Sequence, residues 1–326
     1  MVSDNISSNE QAYTTVECNT GITSSTVDVP LGYRFAQKGI YYEQGWYSWG
    51  SYGNAFNQNG EQVGSAGGSC IAGSIIISDI YPGIGAIHTQ SYWNSTNQQN
   101  AGMLMEQGYS PDYIINYLIN NDVSNNPGIR QYGAVDLVGA GRSASFTGSD
   151  CIDYKGHITG DGYAIQGNIL LGPEILEMME SNFLSSEGSL AERLMYSIQG
   201  ANIPGADTRC LNDGVSSLSS FIRVAKIDDL YEDYFLDINV ASVPQAYIDP
   251  LDSLQTVFNS WLLDNTEFTA GDLNNDYIID ILDIIITINI IFGNTTPMIW
   301  QELAADMDAN GIVNIVDIIQ IINIIV

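Results

Sequence analysis

The pattern of hydrophobic and polar positions predicts strands and helices from about residue 60 onward. Short or alternating apolar runs bounded by turn residues predict strands, and apolar residues three and four positions apart predict helices. The predicted strands are 75–80, 84–90, 132–138, 143–147, 163–171, 215–224 and 234–240. The predicted helices begin at Ser110, Pro173, Ser189 and Asp249. This order of elements predicts an α+β fold built from layers.

The first 58 residues differ from the rest of the chain. They are polar and contain an aromatic concentration between Tyr33 and Phe56. Aromatic residues favour strands, so the simpler interpretation is hairpins that stack their own rings. The alternative is a stacking platform for sugars or for a partner's surface. We predict a strand-prone segment that either edges the main fold or reaches a neighbour.

The most specific pattern is an internal repeat at an offset of 34 residues. The block DLNNDYIIDILD (272–283) aligns with DMDANGIVNIVD (306–317), and Ile-rich runs follow at 284–292 and 318–326. Oxygen-bearing side chains recur at positions 1, 3, 5, 9 and 12, the spacing by which a loop surrounds Ca²⁺, and the carbonyl of position 7 adds a ligand. The spacing therefore predicts two calcium ions. The predicted ligands are Asp272, Asn274, Asp276, the Ile278 carbonyl, Asp280, Asp283, Asp306, Asp308, Asn310, the Ile312 carbonyl, Asn314 and Asp317.

The two loops are not equivalent. Position 6, where the chain must turn sharply, is Gly311 in the second loop but Tyr277 in the first. Neither loop contains the His or Cys that would recruit zinc or copper. The alternative interpretation is a pair of Asx-rich turns that cap apolar helices. We expect both loops to bind calcium with unequal affinity, and chelation to unfold residues 268–326.

The charge distribution agrees with a cation site near the C-terminus. The chain carries 38 acidic and 9 basic residues, a formal charge of −29, which argues against nucleic acid or an anionic membrane as a partner. Residues 227–326 contain 14 Asp, 3 Glu and no Lys or Arg, so their formal charge is −17. Seven of these aspartates occupy predicted ligand positions. Calcium therefore accounts for the local concentration of acid, and the remaining excess indicates a solvated surface.

The cysteines and the N-terminus provide evidence on whether the protein is secreted. Cys18, Cys70, Cys151 and Cys210 fit either two disulfides in a secreted protein or four buried thiols. No apolar run reaches the ~20 residues that a membrane-spanning helix needs. The N-terminus lacks a signal region, and we expect numbering that starts after processing. Asn-x-Ser/Thr sequons occur at Asn5, Asn94 and Asn294, a pattern that often arises by chance.

Residues 268–326 resemble a type I dockerin, a small all-α module with duplicated calcium loops. The features that carry the resemblance are Asp at position 12 of both loops and one apolar helix after each loop. The resemblance implies docking to a cohesin through positions 10 and 11 and through later polar or basic residues. Here those positions are Ile281, Leu282, Ile315 and Val316, and the basic residues are absent. We therefore expect packing within the chain or into an assembly, and a cohesin-like partner is disfavoured.

The central region resembles the family called domain of unknown function 1028. The matching segments are EQVGSAGGSC (61–70), PGIGAIHTQ (82–90), NPGIRQ (126–131), ASFTGSDC (144–151), YAIQGNILLG (163–172) and ADTRC (206–210). That family looks like the Ntn-hydrolase superfamily, so the resemblance implies an αββα four-layer sandwich. It also implies amide cleavage by an N-terminal Thr, Ser or Cys whose free amine serves as the base.

The nucleophile that this resemblance implies is not recognisable. In the family a Thr begins the first strand, but counting back from Glu61 reaches Ser48-Trp49-Gly50, which does not match. The segment 14–18 (TTVEC) looks similar but would need a long insertion after it. His88 and His157 could serve as bases or metal ligands, and structural hydrogen bonding is the simpler interpretation. Similarly, Arg130 and Arg142 either anchor a carboxylate ligand or form internal ion pairs, which we favour.

These observations predict three regions: an N-terminal segment (1–58), an Ntn-hydrolase-like domain (59–264) and a dockerin-like module (268–326). We expect an extracellular or cell-surface calcium-binding protein that forms structures or assemblies, such as a surface-layer or filament subunit. A protein partner or self-assembly would act through the N-terminal segment or the C-terminal module. The alternative is an extracellular amide hydrolase of the Ntn type or a carbohydrate-associated enzyme, whose catalytic residues the sequence does not identify.

Overall fold

A computed structural model describes residues 50–56, 62–139, 141–186, 188–241, 248–295 and 297–326. The aromatic residues between Tyr33 and Trp49, and the segment 14–18, lie outside these ranges. The described residues up to Leu254 belong to one compact unit, and Gln255–Val326 form a second. The strands are β1 (Gly50–Phe56), β2 (Gln62–Ser69), β3 (Ser78–Tyr81), β4 (Gly85–Gln90), β5 (Gln131–Asp136), β6 (Arg142–Thr147), β7 (Gly156–Gly160), β8 (Tyr163–Asn168), β9 (Ser219–Lys226) and β10 (Leu236–Val240).

The helices alternate with these strands in the first unit and dominate the second. Two of them carry the capping residues that the sequence predicts, Ser110 before α2 and Ser189 with Glu192 before α4. The helices are α1 (Ser95–Glu106), α2 (Pro111–Asn120), α3 (Glu174–Ser185), α4 (Leu190–Gln199), α5 (Pro250–Asn265), α6 (Ile281–Ile291), α7 (Ile299–Ala305) and α8 (Ile315–Ile325). No helix among the described residues is long and apolar enough to cross a membrane.

Two antiparallel sheets form the first unit. The six-stranded sheet has the order β10-β9-β2-β1-β8-β7, and the four-stranded sheet has the order β3-β4-β5-β6. Strand β1 is internal, because Ser51 lies opposite Gly68 of β2 on one side and Gly167 of β8 on the other. The predicted boundary at residue 58 therefore follows a strand that is central to the sheet, and residues 50–56 are part of the main fold.

Helices cover the outer face of each sheet. Helices α1 and α2 pack on the four-stranded sheet, where Met105 and Ile114 join Ile87 and Tyr132 in one apolar cluster. Helices α3 and α4 contact the six-stranded sheet. The result is a mixed α/β sandwich in which two sheets face each other between helices.

The space between the sheets changes character along the strands. At the end where β1 finishes, it is filled by small and branched apolar residues, among them Val63, Ala86, Val135 and Ala164. Side chains alternate along a strand, so two and four residues further along β4 the same face carries His88 and Gln90. On β8 the same alternation places Gln166 and Asn168 beyond Ala164. The half of the sandwich interior where β1 begins is therefore polar.

Several elements differ from the sequence predictions. The first part of the predicted strand 75–80 is a 3₁₀-helix, Ser74–Ile77, which leads into β3. Helix α1 was not predicted, because its sequence STNQQNAGMLME lacks a clear apolar stripe. The Asn94 side chain caps α1 by accepting hydrogen bonds from the backbone of Thr96 and Asn97, so this sequon residue has a structural role.

The structure shows one disulfide among the described cysteines. Cys70, at the end of β2, is bonded to Cys210, 140 residues later. Cys151 is a buried thiol that donates a hydrogen bond to the carbonyl of Arg130. Cys18 lies outside the described residues. A disulfide is thus confirmed, which excludes the alternative of four buried thiols, and the cysteines that the structure describes form one pair and one buried thiol.

Removing this disulfide should destabilise the first unit. The bond closes a long loop, and loss of a native disulfide of this kind typically lowers the free energy of unfolding by roughly 2–5 kcal/mol. We expect that effect in urea unfolding of the double variant Cys70→Ala/Cys210→Ala. The Cys151→Ala variant is the matched control and should lose less, since no covalent bond is removed. Equal losses in the two variants would contradict the structural role of the disulfide.

The stability of the first unit should fall as the solution is acidified below about pH 6.5. Burial, and secondarily the charge of Arg223, lowers the pKa of His88 from 6.5 to about 3. The folded protein therefore keeps this imidazole neutral, while the unfolded chain binds a proton. The contribution of His88 to the free energy of unfolding is fully present above the pKa of this residue in the unfolded chain. It is lost as the pH falls toward the pKa in the folded protein. We expect a loss of roughly 1.4 kcal/mol per pH unit from this residue.

Urea unfolding at about pH 7 and about pH 5 measures this loss. The His88→Gln variant should show a shallower pH dependence than the wild type. His157→Gln is the control: His157 is exposed, so its substitution should change the slope less. A wild-type slope that survives in His88→Gln would contradict the assignment.

Candidate metal centre

The two Asx-rich loops end in matching helix caps. Asp280, at position 9 of the first loop, accepts a hydrogen bond from the backbone of Leu282 (2.7 Å), and Asn314 accepts one from Val316 (2.8 Å). Helices α6 and α8 therefore begin at position 10, three residues before the predicted Ile-rich helices. A further helix, α7, immediately precedes the second loop.

The first aspartate of each loop organises the turn that follows it. The Asp272 carboxylate accepts hydrogen bonds from the backbone of Asp276 (3.2 Å) and Tyr277 (2.9 Å). In the second loop Asp306 accepts from Asn310 (3.1 Å) and Gly311 (2.7 Å). The same two N–H groups, at positions 5 and 6, thus wrap each loop around its first carboxylate.

The last aspartate of each loop ties the loop to its helix. The Asp283 carboxylate accepts from the backbone of Leu273 (2.7 Å) and Asp280 (2.8 Å). Asp317 accepts from the backbone of Met307 (2.9 Å) and Asn314 (2.8 Å). The two loops therefore repeat each other in hydrogen bonding as well as in sequence.

Burial of these carboxylates requires a nearby positive charge. Asp272, Asp283 and Asp317 have no solvent exposure, yet residues 227–326 contain no Lys, Arg or His. A buried carboxylate is costly unless it is paired with a cation or coordinates a metal. The donor set is made only of carboxylate, amide and carbonyl oxygens, which suits the hard Ca²⁺ ion. The residues present therefore fit calcium.

The second loop brings its carboxylates closest together. Ligand oxygens of Asp306, Asp308 and Asp317 all lie within 4.8 Å of one another, the one such acidic group found in the described part of the chain. In the same loop the Asn310 side chain accepts a hydrogen bond from the backbone of Ile312 (2.9 Å). The ligand assignments in both loops remain predictions.

The left-handed backbone conformation at position 6 has a different energetic cost in the two loops. Position 6 is left-handed in both, with φ of 69° at Tyr277 and 83° at Gly311. Position 4 is left-handed too, at Asn275 and Ala309 (both φ 55°), a constraint that the ligand spacing did not reveal. A left-handed residue with a side chain costs roughly 1–2 kcal/mol. The first loop therefore bears strain that glycine avoids in the second.

Apolar residues at positions 10 and 11 face solvent. Ile281 is 66% exposed and Ile315 is 64% exposed, and Leu282 and Val316 are exposed as well. The core of the second unit is instead formed by other residues: Leu273, Ala304, Ala305 and Ile321. The four residues therefore lie outside the core of their own unit, and their packing elsewhere in the chain or into an assembly remains a prediction.

The candidate residues of the first unit have structural partners. His88 Nδ1 lies 3.2 Å from Gln166 Nε2, and His157 Nδ1 lies 2.9 Å from Thr147 Oγ1. Arg130 is buried and pairs with Asp122 at 2.8 Å, and Arg142 pairs with Asp136. The arginines thus form internal ion pairs, as the simpler interpretation predicted.

Comparison with known families accounts for most of the chain. Residues 54–249 match the Family of unknown function (DUF1028). The chain belongs to this family. Residues 270–326 match the Dockerin type I domain, so this DUF1028 protein carries a dockerin domain at its C-terminal end. Both resemblances are confirmed, and dockerin type I domains bind calcium.

A solved structure supports the fold of the first unit. Protein SPO2555 from Silicibacter pomeroyi, described as DUF1028, is 20% identical, and the match covers 66% of this chain and 87% of that one with a TM-score of 0.54. At this identity the likeness shows the fold alone. Comparison with curated proteins gives no match.

Substitutions at position 6 should change the free energy of unfolding in opposite directions in the two loops. Tyr277 is 79% exposed, so Tyr277→Gly removes strain at little cost in packing and should stabilise the calcium-loaded module by about 1 kcal/mol. Gly311→Ala introduces the same strain and should destabilise it by about 1–2 kcal/mol. Urea unfolding in saturating calcium measures both changes. Destabilisation by Tyr277→Gly would contradict the strain assignment.

Proposed function

We propose that this DUF1028 protein is an extracellular, calcium-dependent assembly subunit whose dockerin domain holds two Ca²⁺ ions. The observation that carries the proposal is the burial of Asp272, Asp283 and Asp317 in a segment without any basic residue. Each loop would contribute its five side chains and the carbonyl of position 7, the twelve ligands predicted above. When bound, calcium supplies the positive charge that holds each loop against its helix. Dockerin domains occur in extracellular proteins, which supports the proposed location.

The exposed side chains of α6 and α8 support the assembly role. Ile281 and Leu282 on one helix, and Ile315 and Val316 on the other, form two related apolar surfaces. Contiguous apolar surface on a soluble protein commonly marks a site of protein interaction. Because calcium shapes the loops from which both helices begin, binding of a partner or of a second copy would depend on calcium.

An Ntn-type amide hydrolase is the second candidate. The two facing sheets with helices outside, together with DUF1028 membership, support an Ntn-hydrolase-like αββα assignment. Strand β1, however, begins at Gly50, which offers no nucleophilic side chain at that position. N-terminal sequencing of the native protein separates the candidates, because a mature chain that starts at Thr, Ser or Cys would favour the enzyme.

Calcium binding is tested on the full chain by calorimetry. Titration should give two ions per chain, and addition of EDTA should lower the melting temperature of the second unit while leaving the first unchanged. Asp317→Asn should reduce the stoichiometry toward one. Asp264→Asn, an exposed site outside both loops, is the control and should retain two. An unchanged melting profile in EDTA would contradict the metal assignment.

Assembly is tested by light scattering coupled to size exclusion. We expect the mass of the wild-type particle at high protein concentration to exceed that of one chain in calcium and to fall in EDTA. Ile315→Ser should weaken the association, whereas substitution of the exposed Leu171 in the first unit should not. A monomer at high concentration in both conditions would contradict the assembly role while leaving calcium binding intact.

A further inference from the structure

Four side-chain amides lie together in the polar half of the sandwich interior. They are Gln90 at the end of β4, Gln131 at the start of β5, and Gln166 and Asn168 on β8, and none is exposed to solvent. We refer to these four residues as the amide cluster. The amide cluster belongs to the first unit and contains no residue of the calcium loops.

Gln131 fixes the orientation of its neighbours. Its Nε2 donates to the carbonyls of Gly156 (3.0 Å) and Gly167 (2.8 Å), which can only accept. Its Oε1 must therefore face the other way, where it accepts from Gln90 Nε2 (2.6 Å) and Asn168 Nδ2 (2.8 Å). The assignment of nitrogen and oxygen in Gln90 and Asn168 follows from this, because the opposite choice would place two acceptors against each other.

The oxygens that remain are buried acceptors. Gln90 Oε1, Asn168 Oδ1 and Gln166 Oε1 have no hydrogen-bond partner among the described residues, and neither does Ser145 Oγ on the neighbouring strand β6. Buried polar atoms are nearly always hydrogen-bonded, so a group of such atoms in one place needs an explanation. Three of the atoms in this condition in the described part of the chain, on Gln90, Gln166 and Asn168, belong to the amide cluster.

Two glycines lie beside the amide cluster. A Cβ at Gly133 of β5 would lie 2.0 Å from Gln166 Oε1, so the glutamine amide occupies the place of a side chain. Gly50, the first residue of β1, lies opposite Asn168 and contributes no side chain of its own. The amide cluster thus lies at the end of the sandwich where the central strand begins.

The chemistry of the acceptors defines what they would bind. The unpartnered atoms of the cluster are carbonyl oxygens, which can only accept hydrogen bonds, so a ligand must donate to them. An ammonium ion would bury a charge without a carboxylate from the cluster to balance it, and a carboxylate ligand would face acceptors. We propose that the amide cluster is a binding site for a small neutral ligand bearing an NH₂ group, a primary carboxamide, which donates to Gln90 Oε1 and Asn168 Oδ1.

Nuclear magnetic resonance of the full chain tests this proposal. The probe is acetamide, and N,N-dimethylacetamide, which cannot donate, is the matched control. We expect acetamide to cause saturable shifts in the side-chain amide signals of Gln90 and Asn168, and the control to cause none. Absence of a saturable shift would overturn the proposal and leave ordered water as the partner of these oxygens. Equal responses to the two compounds would also overturn it.

Variants separate binding from folding. Gln90→Met keeps the length of the side chain but removes the acceptor, so acetamide affinity should fall at least tenfold while the protein still unfolds cooperatively. Gln107→Met, at an exposed position after α1, should bind as the wild type does. Asn168→Leu is the second variant and replaces Gln90→Met if that variant fails to fold. Acetamide binding to Asn168→Leu is followed through the side-chain amide signal of Gln90. Wild-type affinity in a folded variant of either residue would overturn the proposal.

Discussion

Burial of polar groups in need of a partner is the constraint on which both units of this protein depend. In the second unit the groups are charged, and Asp272, Asp283 and Asp317 accept hydrogen bonds from backbone N–H groups. Hydrogen bonds from neutral donors do not neutralise a buried carboxylate, so we expect a cation to complete the fold of this small unit. In the first unit the groups are uncharged amides, and Gln131 links most of them across the two sheets.

Because the buried groups are charged in the second unit and neutral in the first, we expect only the second unit to depend on calcium for its folding. We expect calcium binding to contribute directly to folding of the second unit, because the ligand positions come together only when the loop closes. The proposed association through α6 and α8 would then depend on calcium as well, since both helices begin inside the loops at Ile281 and Ile315. The first unit has a larger apolar core and a disulfide, so we expect it to remain folded in the absence of calcium.

Local patterns made part of this structure predictable from sequence. Ligand spacing identified both loops, and capping residues such as Ser189 located helix starts, because these signals lie within a few residues of one another. Long-range features were not predictable. The central place of β1 depends on pairing with β8, more than 100 residues away, and the amide cluster joins β4, β5 and β8. Helix α1 was missed because its polar sequence is stabilised by packing on β4 and by the Asn94 cap.

The position of Gly50 connects the fold with the question of activity. It begins the central strand, beside Asn168 and at the polar end of the sandwich, where the family resemblance calls for a nucleophile. Residue 50 has no side chain that could attack a carbonyl, whereas the proposed ligand site needs only the oxygens of Gln90 and Asn168. Binding and cleavage depend on different atoms. The proposed ligand site and the alternative of an amide hydrolase are therefore separable, because the first needs acceptors and the second needs a nucleophile from elsewhere in the chain.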